Sequence, residues 1–327
     1  MILAGDIGGT NARLAYFQSQ NGHLDLVSER VFPSREHSEL GEIVVQFMEE
    51  SGPRPEVACF GIAGPVQNGR VETSNLPWVI EQSSLAKQIR LPATLLINDL
   101  EAIAWGIGGL TAADLVPLNH VSGPAVGNQA VIAPGTGLGE AGLFWDGKRH
   151  HVFACEGGHA DFAPQGELQI ELLRFLHARF GHVSYERIVS GPGLASVYEF
   201  LRDSGCGKES PELAAKIAQG DAPAMISRAA LEASCPLAVK ALDLWISVYG
   251  AEAGNLALKV MATGGLFLAG ISPKLLARLK SPLFMQAFLN KGRLRPLVES
   301  MPVYVVTNEK TGLLGAARCA AVRGSKS

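Results

Sequence analysis

Cysteine is scarce and scattered. Cys59, Cys155, Cys206, Cys235 and Cys319 are odd in number and contain no CxxC pair, which argues for reduced thiols and against a disulfide framework or a zinc site. Long apolar runs are missing too: none approaches the roughly 20 residues of a membrane span. The opening MILAGD sets no basic region ahead of an apolar core, so no secretory leader is expected and the protein is placed in the cytoplasm. No excess of basic charge exists either, the formal net charge being -3. Neither nucleic acid nor a membrane is an expected partner, and no DNA-binding helix pair precedes the first motif. Low-complexity segments are absent. So is a Walker loop, because no GxxxxGK[ST] occurs and Gly207-Lys208 is followed by Glu209. Gly135-Thr-Gly-Leu-Gly139 has GxGxG spacing with a strand expected after it, which is not the dinucleotide fingerprint, and a nicotinamide enzyme is not expected.

What is present is glycine in particular places. Ala4-Gly-Asp-Ile-Gly-Gly-Thr-Asn-Ala-Arg-Leu14 organises the chain. A short apolar strand enters Gly5-Asp6, and Gly8-Gly9-Thr10 turns it into a second strand from Ala12 to Phe17. Adjacent glycines let a backbone approach a ligand with its N–H groups outward, which suits phosphate oxygens. Thr10 and Asn11 can add donors, while Asp6 beside a phosphate makes sense with a cation between them. The competing reading is a hairpin whose glycines and asparagine serve turn geometry alone. The same design of strand, glycine turn and strand returns at Ala130–Ala133, Pro134–Gly139 and Ala141–Trp145. A chain of 327 residues fits two domains, so one such unit falls in each.

Other elements follow in order. His23–Phe32 reads as a third strand, and Ser38 as the cap of a helix burying Leu40, Ile43, Val44, Phe47 and Met48. Val57–Ile62 and Thr94–Ile97 are β-rich runs leading to Ala63-Gly64-Pro65 and Asn98-Asp99, as in an open α/β sheet that keeps ligands at strand ends. Between them Thr73-Ser-Asn-Leu-Pro-Trp78 is either a surface turn before a Ser83-Ser84 cap or a ligand loop. A helix over 100–107 breaks at Gly108-Gly109, where the first domain boundary is expected. Residues 167–180 and much of 211–258 read as core helices, 303–306 as a last strand and 313–322 as a last helix.

Asn98-Asp99 offers an acid at a rigid strand end, suited to orienting a hydroxyl and taking its proton, or alternatively an N-cap. Glu156-Gly-Gly-His159, with Asp161 beyond, sets a carboxylate and an imidazole on pliable backbone, a pair able to bind adjacent sugar hydroxyls. Its E-x-x-H spacing would suit a metal on a helix, which Gly157-Gly158 disfavours. His150-His151 reads as solvated and Glu186 as a capping-box acid behind Val183 and Ser184. Gly191-Pro-Gly193 and Thr263-Gly-Gly265 are further turns able to approach a nucleotide's sugar and base.

The ordered set Asp6-Ile-Gly-Gly-Thr-Asn11, Ile97-Asn-Asp99, Gly135-Thr-Gly-Leu-Gly139, Glu156-Gly-Gly-His159, Glu186-Arg-Ile-Val-Ser-Gly-Pro-Gly193 and Thr263-Gly-Gly265 closely resembles the bacterial glucokinases, hexokinase-type sugar kinases of the actin/Hsp70 ATPase class, over nearly the whole chain. The resemblance implies an α/β, two-domain actin-like ATPase (ribonuclease H-like) fold with an interdomain cleft. A small domain would hold residues 1–109 plus about 303–322, and a large one 110–302. It implies ATP and Mg2+ at Gly5, Asp6, Ile7, Gly8, Gly9, Thr10, Asn11, Gly135, Thr136, Gly137 and Gly265, with Asp6 meeting the metal through water. Asp99 would be the base for the sugar 6-hydroxyl, and Asn75, Asn98, Asp99, Glu156, His159 and Glu186 the sugar contacts. A homodimer is implied as well. The expected activity is ATP-dependent phosphorylation of glucose to glucose 6-phosphate, the entry to glycolysis. A kinase for another hexose or amino sugar, or a sugar sensor on the same fold, are the alternatives. Two departures stand out. The adenosine segment has Gly264-Gly265 followed by a single Gly270 where a second pair is expected, and the zinc segment of the related repressor-and-kinase sugar family is missing.

Overall fold

A computed structural model describes residues 1–327 apart from 21–22, 53, 74–75 and 325–327. Asn75 therefore lies outside the described residues. The chain divides into two compact units, one of Met1–Asp114, Val152–Ala154 and Asn308–Ser327, the other of Leu115–His151 and Cys155–Thr307.

The first unit begins with β1 (Ile2–Ile7), β2 (Asn11–Gln20) and β3 (His23–Pro33), then α1 (Leu40–Ser51) and β4 (Val57–Ile62). A short hairpin of β5 (Arg70–Glu72) and β6 (Val79–Glu81), α2 (Gln82–Gln88), β7 (Thr94–Asn98) and α3 (Asp99–Ile107) complete its N-terminal part. The strands lie in the order β3-β2-β1-β4-β7. β2 runs antiparallel to β1, while β4 and β7 continue parallel to it. The alternation of side chains along a strand divides β1 between two cores. Leu3 and Ile7 join Leu14, Tyr16 and Phe60 under α1, whereas Ile2 and Ala4 face the opposite side. Because β1 is covered on both faces, it reads as a continuous apolar run.

The second unit contains β8 (Leu115–Pro117), β9 (Gln129–Pro134), β10 (Leu138–Trp145), β11 (His150–Cys155), α4 (Glu167–Phe180), α5 (Gly191–Asp203), α6 (Pro211–Gln219), α7 (Ala222–Leu231) and α8 (Pro236–Val260). It continues with β12 (Gly265–Leu268), α9 (Pro273–Leu279), α10 (Pro282–Leu289), α11 (Arg295–Glu299) and β13 (Val303–Val306). Its sheet is ordered β11-β10-β9-β12-β13-β8. As in the first unit, a strand and its antiparallel return are followed by two further parallel strands. α8, wide in its apolar surface, is the centre of this unit's core.

The chain ends with α12 (Thr311–Arg323), whose Leu313, Ala316, Ala317 and Ala320 cover the Ile2 and Ala4 face of the first sheet. α12 crosses α3 closely, because Gly315 lies on the Ala102 carbonyl and Gly106 on that of Thr311, leaving no room for a Cβ at either. The last strand, expected beside this helix, instead pairs in parallel with β12 in the second sheet.

Three expected caps change place. Glu39, not Ser38, occupies the N-cap of α1, and Ser38 instead bonds Glu42, its hydroxyl donating to Oε1 at 2.7 Å. α2 starts at Gln82, so Ser83 and Ser84 lie within it. At α3 the cap is Asn98 rather than Asp99. Among the described residues no helix is long and apolar enough to cross a membrane.

Candidate active site

The sheet of the first unit brings its polar termini to one edge. In the parallel register Ile7 is level with Ile62, and Ile62 with Asn98. Asp6, the Ala63-Gly64 bend and Asn98-Asp99 thus end three neighbouring strands, which at strand spacing spans about 10 Å from β1 to β7. Carboxyl ends of parallel strands are where open α/β sheets hold ligands.

The first glycine turn is braced from below. Gly8 N–H donates to the Asn11 carbonyl at 2.9 Å, and Ser34 N–H to the Thr10 carbonyl at 2.9 Å. The fully buried Ser34 hydroxyl donates to the Gly8 carbonyl at 2.8 Å. Ser34 was not foreseen, since a serine 24 residues beyond Thr10 carries no local signal. Gly9, Thr10 and Asn11 remain at the surface of the turn. Gly5 and Ile7 do not reach it with their side-chain positions. Ile7 is in the core, and a Cβ on Gly5 would come within 2.5 Å of Phe60. Asp6 faces the other way, opposite Arg13 and against the start of α12, where a Cβ on Gly312 would lie 3.3 Å from its Oδ2. Burial pushes the Asp6 carboxyl above its ordinary range, and the Arg13 charge pulls it partly back. Mg2+ keeps most of its waters and needs one or two carboxylates beside phosphate oxygens, so this single acid at the mouth of a glycine turn fits a water-bridged ion.

Asn98 closes the start of α3. Its Oδ1 accepts from Leu100 N–H at 2.8 Å and Glu101 N–H at 3.3 Å, and its Nδ2 donates to the Gly64 carbonyl at 3.0 Å. The cap role competing for Asp99 is therefore filled by its neighbour. Asp99 Oδ1 accepts from Leu100 N–H at 2.9 Å, which fixes the direction of the carboxylate.

In the second unit three turns converge. Gly135 N–H donates to the Gly137 carbonyl at 2.7 Å, and Gly191 N–H to the Gly135 carbonyl at 2.9 Å, setting the start of α5 beside residues 135–137. Glu186 sits in a 3-10 turn, Tyr185–Arg187, whose Ser184 cap makes no side-chain bond. The capping-box reading is replaced by a long-range one: Glu186 Oε2 accepts from Leu138 N–H at 2.9 Å, and Oε1 lies 3.8 Å from His159 Nε2. Glu156 caps a single 3-10 turn, Gly157–His159, formed where the glycine pair argued against a helix. That turn lies flat on β10, because a Cβ on Gly158 would overlap the Leu138 carbonyl. Asp161 instead pairs with His182 at 2.8 Å. His150 and His151 are not merely solvated: His150 Nε2 lies 3.0 Å from the Gly127 carbonyl, and His151 Nε2 lies 2.6 Å from Asp146 Oδ2.

Gly265 does not join this group. It opens β12 level with Gln129, at the start of β9, whereas the 135–137 turn follows the other end of that strand. Gly270, beyond the end of β12, is the glycine at the turn's edge, with φ +69° and a would-be Cβ 3.5 Å from the Pro134 carbonyl. Thr73 Oγ1 donates to the Leu76 carbonyl at 2.8 Å.

Two glycine hairpins at the head of two similarly ordered sheets, with acids at the strand ends, define an ATPase of the actin-like class. Comparison with known proteins narrows this. A sequence model described as Glucokinase matches residues 3–323. A glucokinase of a Nostoc species is 41% identical over 98% of this chain and 99% of its own, and one of Synechocystis is 41% identical over 98% of each. The crystal structure of glucokinase from an Antarctic psychrotroph superposes with a TM-score of 0.84 at 31% identity, covering 98% of both chains. The chain belongs to the glucokinase family.

Proposed function

We propose that this chain transfers the γ-phosphoryl group of ATP to the 6-hydroxyl of glucose, with Asp99 as the base. The observation that carries this reading is the alignment of Asp6, Gly64 and Asn98-Asp99 at the ends of three neighbouring parallel strands. Family membership supplies the substrates, glucose and ATP.

In this reading the amides of the turns at 8–11 and 135–137 receive the phosphates, and Gly270 takes the nucleotide-facing place first given to Gly265. Bound Mg2+ would neutralise charge on the β- and γ-phosphates, Asp6 holding it through water. Asn98, Glu156, His159 and Glu186 would hold the remaining sugar hydroxyls, with Asn75 added by the family resemblance alone. Glu186 is supported by its double attachment, one oxygen on the Leu138 amide and the other beside His159.

As the 6-oxygen attacks, its bond to phosphorus forms while the bond from phosphorus to the β–γ bridging oxygen breaks. The hydroxyl proton passes to Asp99, and ADP carries away the bridging electron pair. An ordinary carboxylate suffices, because the hydroxyl becomes acidic only as the new bond forms. Asp99→Asn should lose a factor of about 10²–10⁴ in kcat while calorimetry still records glucose binding. Turnover near that of the native protein would remove Asp99 from this role.

The family resemblance also supports a homodimer, and the use of ATP a cytoplasmic setting. Sedimentation equilibrium checks the first, a monomer at all concentrations contradicting it.

A further inference from the structure

Beneath the Glu156–His159 turn lies a pair of acids that the reaction does not use. Glu140, in β10, is 1% exposed, and Glu252, in the middle of α8, is 0% exposed. Their carboxyl groups face each other closely enough that two charges would repel. Two carboxylates can only accept, so one of the pair must hold a proton.

The surroundings say which. Glu252 Oε1 meets Lys259 Nζ at 3.2 Å, and its Oε2 accepts from Asn255 Nδ2 at 2.8 Å. Glu140 Oε1, by contrast, meets no donor among the described residues. Glu252 is therefore the accepting member of the pair, and Glu140 the one left to hold the proton. Burial and the Glu252 charge push the Glu140 carboxyl up to about 8, with Lys259 pulling the other way. The other titratable groups facing the pair are Tyr249 on α8, Cys155 at the end of β11 beside Glu156, Tyr185 in the Glu186 turn, and Lys291.

This pair touches both turns. Glu140 Oε2 occupies the space a Cβ on Gly157 would need. On the other side Asn255 Nδ2 also donates to Tyr185 Oη at 2.9 Å, and Lys291 Nζ holds Asn255 Oδ1 at 2.6 Å. The Glu156–His159 turn thus rests on Glu140, and the Glu186 turn is tied to Glu252 through Asn255 and Tyr185.

We propose that Glu140 is a positioning residue for the sugar: as a neutral acid it donates its proton to Glu252, clamping β10 to α8 so that both turns keep the spacing glucose requires. The inference rests on the reading of those turns as the sugar site. When Glu140 ionises, two buried carboxylates face each other and repel. The turns then lose their seat while Asp99, in the other unit, is untouched.

The test measures glucose KM, kcat and calorimetric glucose Kd at pH 7 and pH 9 for the native protein, Glu140→Gln, Glu140→Ala and Glu156→Gln. Glutamine keeps the donor and cannot ionise. The native KM and Kd should rise about tenfold at pH 9, as the neutral fraction of a group with a pKa near 8 falls, and kcat should change less. Glu140→Gln should bind as the native protein does at pH 7 and lose the rise. Glu140→Ala should bind weakly at both. A native KM that is flat with pH, or a rise that survives in Glu140→Gln, would overturn the proposal while leaving the sugar site standing. An unchanged Kd in Glu156→Gln would instead remove the sugar site itself, and the proposal with it.

Discussion

At the scale of residues, the site depends on neighbours dividing labour. Asn98 and Asp99 both compete in sequence for the first turn of α3, and the structure gives the cap to Asn98, the last residue of β7, and the first helical position to Asp99. Removing the cap should therefore cost twice. Asn98→Ala should lower stability by about 1 kcal/mol, read from a denaturant midpoint, and should lower kcat because the first turn of α3, whose Leu100 N–H orients the Asp99 carboxylate, loses its cap. Full activity with lowered stability would make Asn98 a cap and nothing more. The pairing of Asn98 with Asp99 was legible in sequence because the two are adjacent and follow a strong apolar strand. Glu186 was not legible from its own surroundings. Its partners Leu138 and His159 are 48 and 27 residues away, and only the fold brings them together. Gly265, in a conspicuous glycine pair, serves a strand entry with φ +124°, while the single Gly270 sits beside the 135–137 turn.

At the scale of elements, the strands with two buried faces were the readable ones. β1, β4 and β7 are short apolar runs closed by glycine or polar residues, and such runs have few other uses. β11 escaped notice because its His-His start and half-exposed pattern lack an apolar face. β5 and β6, three residues each, are too short to show a period. β13 was read as a strand, and the family resemblance placed it with the small domain, whereas it pairs with β12 in the second sheet, since a strand's own sequence does not state which neighbour it will pair with. The crossing of α3 and α12 makes a sharper claim. Gly315→Ala would drive a methyl into the Ala102 carbonyl and the Gly106 amide, both backbone and unable to step aside. It should destabilise the protein by about 1–3 kcal/mol, seen as a lowered denaturant midpoint. An unchanged midpoint would mean the two helices are not held at this distance.

At the scale of the whole molecule, the chain repeats one plan: a strand, its glycine-turn return, and parallel strands added on the other side. This duplication was visible in sequence because each unit opens with a strand, a glycine-rich turn and an antiparallel return. Global stability should carry the mark of the buried acid pair. Glu140 has its folded pKa raised from 4.5 to about 8, so the folded state holds a proton the unfolded chain releases. Its contribution is full below about 4.5 and is lost as pH rises toward about 8. The denaturant midpoint of Glu140→Gln should decline less than that of the native protein across this interval, and parallel curves would contradict a shared proton. The most direct test of the account is ADP formation by the purified protein with Mg-ATP and a panel of glucose, mannose, fructose, N-acetylglucosamine, N-acetylmannosamine or no sugar. ADP should form with glucose alone, or far faster with it than with any other. Protein that binds ATP yet releases no sugar-dependent ADP would contradict the assignment of this chain as a glucose kinase.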